Sequence, residues 1–138
     1  MVDIFSKSKR SEIMRRIRGK HTNPELIVRR LAFSMGYRYR LHSKKLPGTP
    51  DLVFPKLQKV IFVHGCFWHG HQRCSRKRKP PKTNVLFWQN KIKMNKKRDN
   101  SNVKKLKELT WDPLIIWECE TGDLEALTKK IQNFLSGT

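Results

Sequence analysis

Acidic residues are scarce in this sequence. Only 11 Asp and Glu stand against 31 Lys and Arg in 138 residues, which gives a formal net charge of +20. Such a surface repels itself unless a polyanion neutralises it, so the charge points to a nucleic-acid partner. The hydrophobic fraction of 37% is too high for a disordered basic tail. We therefore expect a folded protein that binds nucleic acid.

The sequence also has no long apolar run, and its number of cysteines is odd. No run approaches the roughly 20 apolar residues of a membrane span, and no apolar signal segment follows Met1. Three cysteines cannot all pair in disulfides, which favours a reducing compartment and thiols free to bind metal. These absences predict a cytoplasmic protein without membrane association, built as one domain over residues 1–138.

The few acidic residues are unevenly placed. The stretch from Arg73 to Lys107 holds 14 Lys and Arg but a single acid, Asp99. Between Glu25 and Asp99 the only carboxylate is Asp51. A carboxylate near phosphate repels it unless a metal ion or a basic group masks the charge. Asp51 is therefore a candidate metal ligand, although its place after Pro-Gly-Thr-Pro also suits a simple turn residue.

The hydrophobic spacing predicts alternating helices and strands. Helical patterns cover 7–18, 22–35, 84–109 and 123–135, the first of them in a basic N-terminal arm at 1–20. Strand patterns cover 37–41, 51–54, 59–63 and 114–117, with a turn at 55–58. This order predicts an α/β fold with a small mixed sheet flanked by helices.

The aperiodic segment 64–82 is rich in metal-binding side chains. It contains His64, Cys66, His69, His71 and Cys74, and Cys119 follows the strand at 114–117. Three cysteines and one histidine suit a tetrahedral zinc site, whereas the alternative makes Cys66 and Cys119 buried apolar residues. His64 and His69 are candidates for moving protons beside a phosphate, or else loop histidines that contact phosphate or water.

Aromatic residues lie among the basic ones at two places, 67–68 and 87–88. Trp68 is in the aperiodic loop, where a contact with DNA bases is expected, while Phe87 is expected to pack in the core. One face of the long helix has spacing suited to hydrogen bonds with base edges; it carries Trp88, Lys91, Asn95 and Arg98.

Together these residues resemble the very short patch repair (Vsr) mismatch endonucleases. The shared motifs are Lys9-Arg-Ser, Met14-Arg, Glu25, Leu46-Pro-Gly-x-Pro-Asp51, Ile61-Phe-x-His64-Gly-Cys-Phe-Trp-His69, Phe87-Trp-x-x-Lys-Ile-x-x-Asn95-x-x-Arg-Asp99 and Ile116-Trp-Glu-Cys119. The resemblance implies a fold like that of restriction endonucleases, with a structural zinc ion. It also implies a monomeric, nucleoid-associated bacterial DNA repair enzyme. Such an enzyme recognises a T:G mismatch left by deamination of 5-methylcytosine at a cytosine-5 DNA methyltransferase site, and nicks the strand 5′ to the T with Mg²⁺.

The resemblance also implies a role for each matched residue. Asp51 would bridge the catalytic Mg²⁺ ions, the backbone carbonyl of Val63 would be a further ligand, and Glu25 would lie near the ions through water. His64 and His69 would handle protons or contact phosphate, with Asp99 orienting one of them. Two further sets complete the site: Cys66, His71, Cys74 and Cys119 for zinc, and Met14, Phe67, Trp68, Trp88, Lys91 and Asn95 for DNA.

Two features depart from the family pattern, and a pair common in restriction enzymes is also absent. Val63 replaces a familiar Thr, two residues instead of one separate His71 from Cys74, and the Glu-x-Lys pair of restriction enzymes is missing. A histidine would then do the work of that lysine. Two other functions fit the residues: a restriction-type nuclease that cuts both strands at matched sites, and a zinc-stabilised DNA-binding module without catalysis.

Overall fold

The computed structural model describes residues 23–67, 69–71 and 82–137. Its helices are α1 (Asn23–Ser34), α2 (Val85–Glu108) and α3 (Leu124–Ser136), with a 3₁₀ turn at Glu118–Gly122. Its strands are β1 (Arg40–Leu41), β2 (Leu52–Phe54), β3 (Lys59–His64) and β4 (Asp112–Trp117). The predicted helix over 7–18 and the candidate residues Met14, Trp68 and Cys74 lie outside the described residues.

Local sequence accounts for where several elements begin and end. Pro24 and Glu25 occupy the first turn of α1, where a missing amide proton is harmless and a negative charge is favourable. Gly36 follows this helix with φ +89°, a left-handed conformation that glycine adopts freely. The Asp123 carboxylate caps α3 by accepting a hydrogen bond from the Ala126 amide at 3.2 Å.

The four strands form one mixed sheet in the order β1-β2-β3-β4. β1 pairs with β2, and β2 with β3, in antiparallel fashion, whereas β3 and β4 are parallel. The turn at 55–58 joins β2 to β3, as the sequence predicts. The parallel pairing needs a crossover, and α2 supplies it. The predicted mixed sheet flanked by helices is confirmed.

Alternation along the strands divides the core between the two faces of the sheet. On one face Leu52 and Ile61 pack with residues of α1 and α3, including Val28 and Ile131. On the other face Val53, Val60 and Phe62 pack with Leu106, the buried residue of α2. The helices therefore form outer layers around a central sheet. Within the described part of the chain, no helix has the length and apolar character needed to cross a bilayer.

The strand register places residues far apart in sequence at one edge of the sheet. Leu41 pairs with Leu52, so the next positions outward, His42 and Asp51, face each other. The His42 amide donates a hydrogen bond to the Asp51 carbonyl at 3.2 Å. The Val63 amide, near the end of β3, donates to the Asp51 carboxylate at 2.7 Å. Asp51 is thus fixed from both neighbouring strands.

Candidate active site

A group of two carboxylates and an imidazole lies where α1 meets the sheet. The ligand atoms of Glu25, His42 and Asp51 all lie within 4.8 Å of one another. His42 Nε2 is 2.9 Å from Glu25 Oε1 and 3.8 Å from Asp51 Oδ1. Glu25 also accepts a hydrogen bond from Arg29, one helical turn further along α1. Glu25 and Asp51, predicted to lie near one metal site, are brought together.

The electrostatics of this group suit a cation. Burial, together with the neighbouring Glu25 carboxylate, raises the pKa of Asp51 to about 7, against the opposing hydrogen bond from the Val63 amide. Burial pushes the pKa of Glu25 upward, but hydrogen bonds and the positive charge of Arg29 lower it overall. A buried and a half-buried carboxylate side by side are costly without a proton or a cation between them. The donor set therefore fits a divalent metal ion with oxygen ligands.

A pair of stacked histidines faces this group. The rings of His64 and His69 are stacked 3.9 Å apart, with an angle of 7° between their planes. His69 Nδ1 is 2.6 Å from Asp99 Oδ2, and His64 Nδ1 is 3.8 Å from the same oxygen. Burial, and then the adjacent His69, lower the pKa of His64 to about 4, so this imidazole is neutral at neutral pH.

A single cavity joins the carboxylate group to the histidine pair. Its volume is about 430 Å³, and its lining includes Asp51, Val63, His64, His69 and Asp99. Arg98 of α2 lines the same cavity and supplies a positive charge at its wall. The cavity thus combines the Asp51 carboxylate for a metal, imidazoles for a proton and a guanidinium for an anion, groups that can together serve phosphodiester hydrolysis.

The three described members of the predicted zinc set meet beside the cavity. Cys66, His71 and Cys119 place their ligand atoms within 4.8 Å of one another. Cys119 Sγ lies 3.5 Å from His71 Nδ1. A sulfur and a nitrogen bound to one tetrahedral zinc ion are separated by about the same distance, 3.5 Å. These residues fit zinc, and a fourth ligand would come from elsewhere in the chain.

The Trp117 ring connects this cysteine and histidine corner to the stacked histidines. The Trp117 and His71 rings are stacked 4.2 Å apart, with an angle of 6° between them. The same indole meets His64 edge to face, with ring centroids 5.4 Å apart. His71, Trp117, His64 and His69 therefore form a continuous series of ring contacts.

The first turns of α2 carry the remaining described DNA candidates. Trp88 is half-buried and packs on Phe67, with ring centroids 5.6 Å apart. Lys91 and Asn95 line a surface hollow on the same helix. The expectation that Phe87 packs in the core is wrong, because 65% of its surface is exposed. The buried residue of α2 is Leu106, near the other end of the helix, so aromatic spacing in its first turn does not lead to burial.

The sequence predicts no role for His42 or Trp117. For Arg98 it predicts a place on the DNA-facing side of the long helix, but not its position in the cavity wall. The sequence does contain a signal for His42. This residue directly follows the predicted strand 37–41, and that strand pairs with the strand that follows Asp51. For Trp117 and Arg98 the signal is weaker, because their neighbours come from distant segments of the chain.

Comparison with known proteins gives consistent matches. The family model described as "DNA mismatch endonuclease Vsr" matches residues 2–76. The chain is 45% identical to "Type II nicking enzyme V.XorIIP" of Xanthomonas oryzae pv. oryzae, over 98% of each protein. It is 39% identical to "DNA mismatch endonuclease Vsr" of Escherichia coli K12, over 99% of this chain and 90% of the relative. A third relative, "Type II nicking enzyme V.NmeAIP" of Neisseria meningitidis, is 45% identical over 87% of this chain and 84% of its own.

Proposed function

The chain belongs to the Vsr family of DNA mismatch endonucleases, and from this membership we propose that it nicks double-stranded DNA 5′ to the T of a T:G mismatch by Mg²⁺-dependent hydrolysis. The observation that carries the proposal is the shared cavity. It combines the Asp51 carboxylate with two histidines and an arginine. That combination suits cleavage of a phosphodiester and has no evident use in a protein that only binds DNA.

In this proposal Asp51 and Glu25 hold the Mg²⁺ ion, with the Val63 carbonyl as a further ligand. The ion would activate water and neutralise charge on the phosphate and the leaving oxygen. The support from the structure is the fixed position of the Asp51 carboxylate, held by the Val63 amide at 2.7 Å. A ligand held in place loses less entropy on binding than a mobile one.

His69 and His64 handle protons at the scissile phosphate in this proposal. The hydrogen bond between Asp99 and His69 Nδ1 fixes the orientation of that ring and leaves its other nitrogen for the substrate. Stacking holds the second ring parallel at 3.9 Å, and both histidines line the cavity. This arrangement replaces the lysine that restriction enzymes use.

The DNA contacts and the partners follow from the same membership. Phe67 and Trp88 would insert beside the mismatch, together with Met14 and Trp68, while Lys91 and Asn95 would contact base edges. Opening a mismatch costs less unstacking energy than opening a matched pair, which favours T:G over T:A. The substrate sites would be those of a cytosine-5 DNA methyltransferase, and a monomer would suffice for a single nick. Zn²⁺ would be held by Cys66, His71, Cys74 and Cys119.

A nicking assay tests this function. Duplexes that differ only in T:G or T:A, within several methylation-site sequences, are incubated with the protein and Mg²⁺. We expect one nick 5′ to the mismatched T, and a rate at least about a hundredfold lower on T:A. Asp51→Asn should lower the nicking rate by at least about a thousandfold while DNA binding is retained.

Asp112→Asn is the matched control, because it removes an exposed carboxylate at the start of β4. Its nicking rate should equal that of the wild type. Equal rates on T:G and T:A would overturn the mismatch preference, and cleavage of both strands would favour the restriction-type alternative. Full activity of Asp51→Asn would overturn the assignment of the site.

A further inference from the structure

His42 lies against Asp51 because of the strand register. Residues 42 and 51 are the first positions beyond the β1–β2 pairing, and a hydrogen bond of 3.2 Å joins their backbones. His42 has φ 47°, a left-handed conformation that is uncommon outside glycine, although His, Asn and Asp adopt it more often than other residues. Such a conformation persists only where the surroundings enforce it, and it is found preferentially at functional sites.

The imidazole of His42 points to the carboxylates. Its Nε2 lies 2.9 Å from Glu25 Oε1 and 3.8 Å from Asp51 Oδ1. The side chains of His42 and Glu25 are 11% and 3% exposed, so water competes little for these atoms. In an octahedral site with bonds of about 2.1 Å, adjacent ligand atoms are about 3.0 Å apart and opposite ones about 4.2 Å. The 2.9 Å separation matches adjacent ligand atoms, and the 3.8 Å separation lies between the adjacent and the opposite values.

A hydrogen bond between His42 and Glu25 explains the 2.9 Å distance equally well. The two interpretations differ in chemistry. A hydrogen-bonding histidine only orients Glu25, and any donor of similar reach replaces it. An imidazole ligand brings a nitrogen donor to a site otherwise made of oxygens, which favours transition-metal dications over Mg²⁺. The approach of Nε2 to both carboxylates favours the ligand interpretation, since a single hydrogen bond needs only Glu25.

We propose that His42 Nε2 is a nitrogen ligand of the divalent cation held by Glu25 and Asp51, and that it makes this site bind Mn²⁺ more tightly than Mg²⁺. The cation takes the place of the proton between His42 and Glu25, and that proton is released to solvent. The proposal rests on the proposed metal-dependent function and adds to it a third protein side chain and a metal preference.

Paramagnetic resonance of Mn²⁺ bound to the full-length protein tests the ligand directly. A nitrogen bound to Mn²⁺ gives a ¹⁴N hyperfine coupling that an outer hydrogen-bonding histidine does not give. We expect this coupling in the wild type and its loss in His42→Asn and His42→Gln. Asn tolerates the left-handed backbone at this position, and Gln retains a hydrogen-bond donor of similar reach. In both variants the Mn²⁺ affinity should fall at least about tenfold, and the Mg²⁺ affinity, measured by competition, by less.

Lys44→Gln, an exposed change in the same turn, should leave the coupling and both affinities unchanged. The proposal is overturned if the wild type binds Mn²⁺ without the ¹⁴N coupling, or if both His42 variants retain it. In that case Asp51→Asn distinguishes the His42 proposal from the proposed function. If this variant loses Mn²⁺ binding, the metal-dependent nuclease is still supported and only the role of His42 is rejected. Absence of Mn²⁺ binding up to millimolar concentration, with and without duplex DNA, would overturn both.

Discussion

Gly48 lies where an added side chain would crowd the side chains of two neighbouring elements. It has φ +81°, and a Cβ placed on it would lie 2.9 Å from Asn102 Nδ2 and 3.0 Å from a ring carbon of Phe62. Asn102 belongs to α2 and Phe62 to β3, so this glycine allows the turn before Asp51 to contact both elements. The Pro-Gly-Thr-Pro segment is therefore a packing feature as well as a turn.

Gly48→Ala should destabilise the fold more than Gly36→Ala. Gly36 has φ +89°, but a methyl group at this position would have no described residue within 4 Å, so its substitution costs only the backbone strain, about 1 kcal/mol. Gly48→Ala adds a steric clash and should cost about 1–3 kcal/mol more. Urea unfolding of both variants measures the difference. Equal losses would show that the turn moves away from α2 without penalty.

At the scale of elements, β4 links the cysteine and histidine corner to the active site. Trp117 ends this strand, stacks on His71 and meets the edge of His64. Its backbone amide also donates to the Glu120 carboxylate at 2.9 Å, which fixes the start of the 3₁₀ turn. A zinc ion in the corner would therefore position His64, one of the two histidines proposed to handle protons, through the Trp117 indole ring.

Trp117→Leu should lower the nicking rate by about tenfold to a hundredfold, because His64 loses the surface that holds its ring. Trp111→Leu is the matched control, since Trp111 packs on the core cluster of Val60 and Leu106, away from the histidines. It should reduce the free energy of unfolding by about 2–4 kcal/mol and change the nicking rate of the folded protein by less than about threefold.

Removal of zinc should resemble the Trp117 variant. A chelator that strips the metal without unfolding the protein should lower nicking, and added Zn²⁺ should restore it.

Equal activity of the two tryptophan variants at matched stability would contradict the link through Trp117.

At the scale of the whole molecule, charge is the dominant feature. The net charge of +20 includes a dense group of Lys and Arg along α2, the helix that also carries Lys91 and Asn95. Lys and Arg side chains that contact DNA phosphates release counterions, and these contacts do not depend on the base sequence of the DNA. The proposed preference for T:G depends instead on the cost of opening the base pair, and duplexes with T:G or T:A carry the same phosphates, so salt acts on both alike.

Affinity for T:G and T:A duplexes should therefore fall together as salt increases. With about 6–10 phosphates neutralised, both should weaken by about 10³- to 10⁵-fold between about 50 and 200 mM salt. The ratio of the two affinities should stay within about threefold. Titration of labelled duplexes over this range provides the measurement, and a ratio that collapses with salt would place the discrimination in the backbone contacts instead.

Much of the architecture is predictable because it depends on local pattern. The strands around the 55–58 turn and the long helix α2 follow from alternation and helical spacing, and the structure confirms them. The choice of Asp51 as a candidate metal ligand follows from the scarcity of acids. The predicted burial of Phe87 is wrong, since spacing identifies an apolar face but does not tell how far the sheet extends beneath it.

The sequence by itself determined the element types, the basic surface and the chemistry available, because these depend on residue identity and on neighbours a few positions away. Only the tertiary structure decided which side chains meet. His42 reaches Glu25 and Asp51 through strand register and helix packing, and Trp117 reaches His71 and His64 through the parallel pairing of β3 with β4. Contacts between distant segments depend on the packing of the whole chain, which no local pattern encodes.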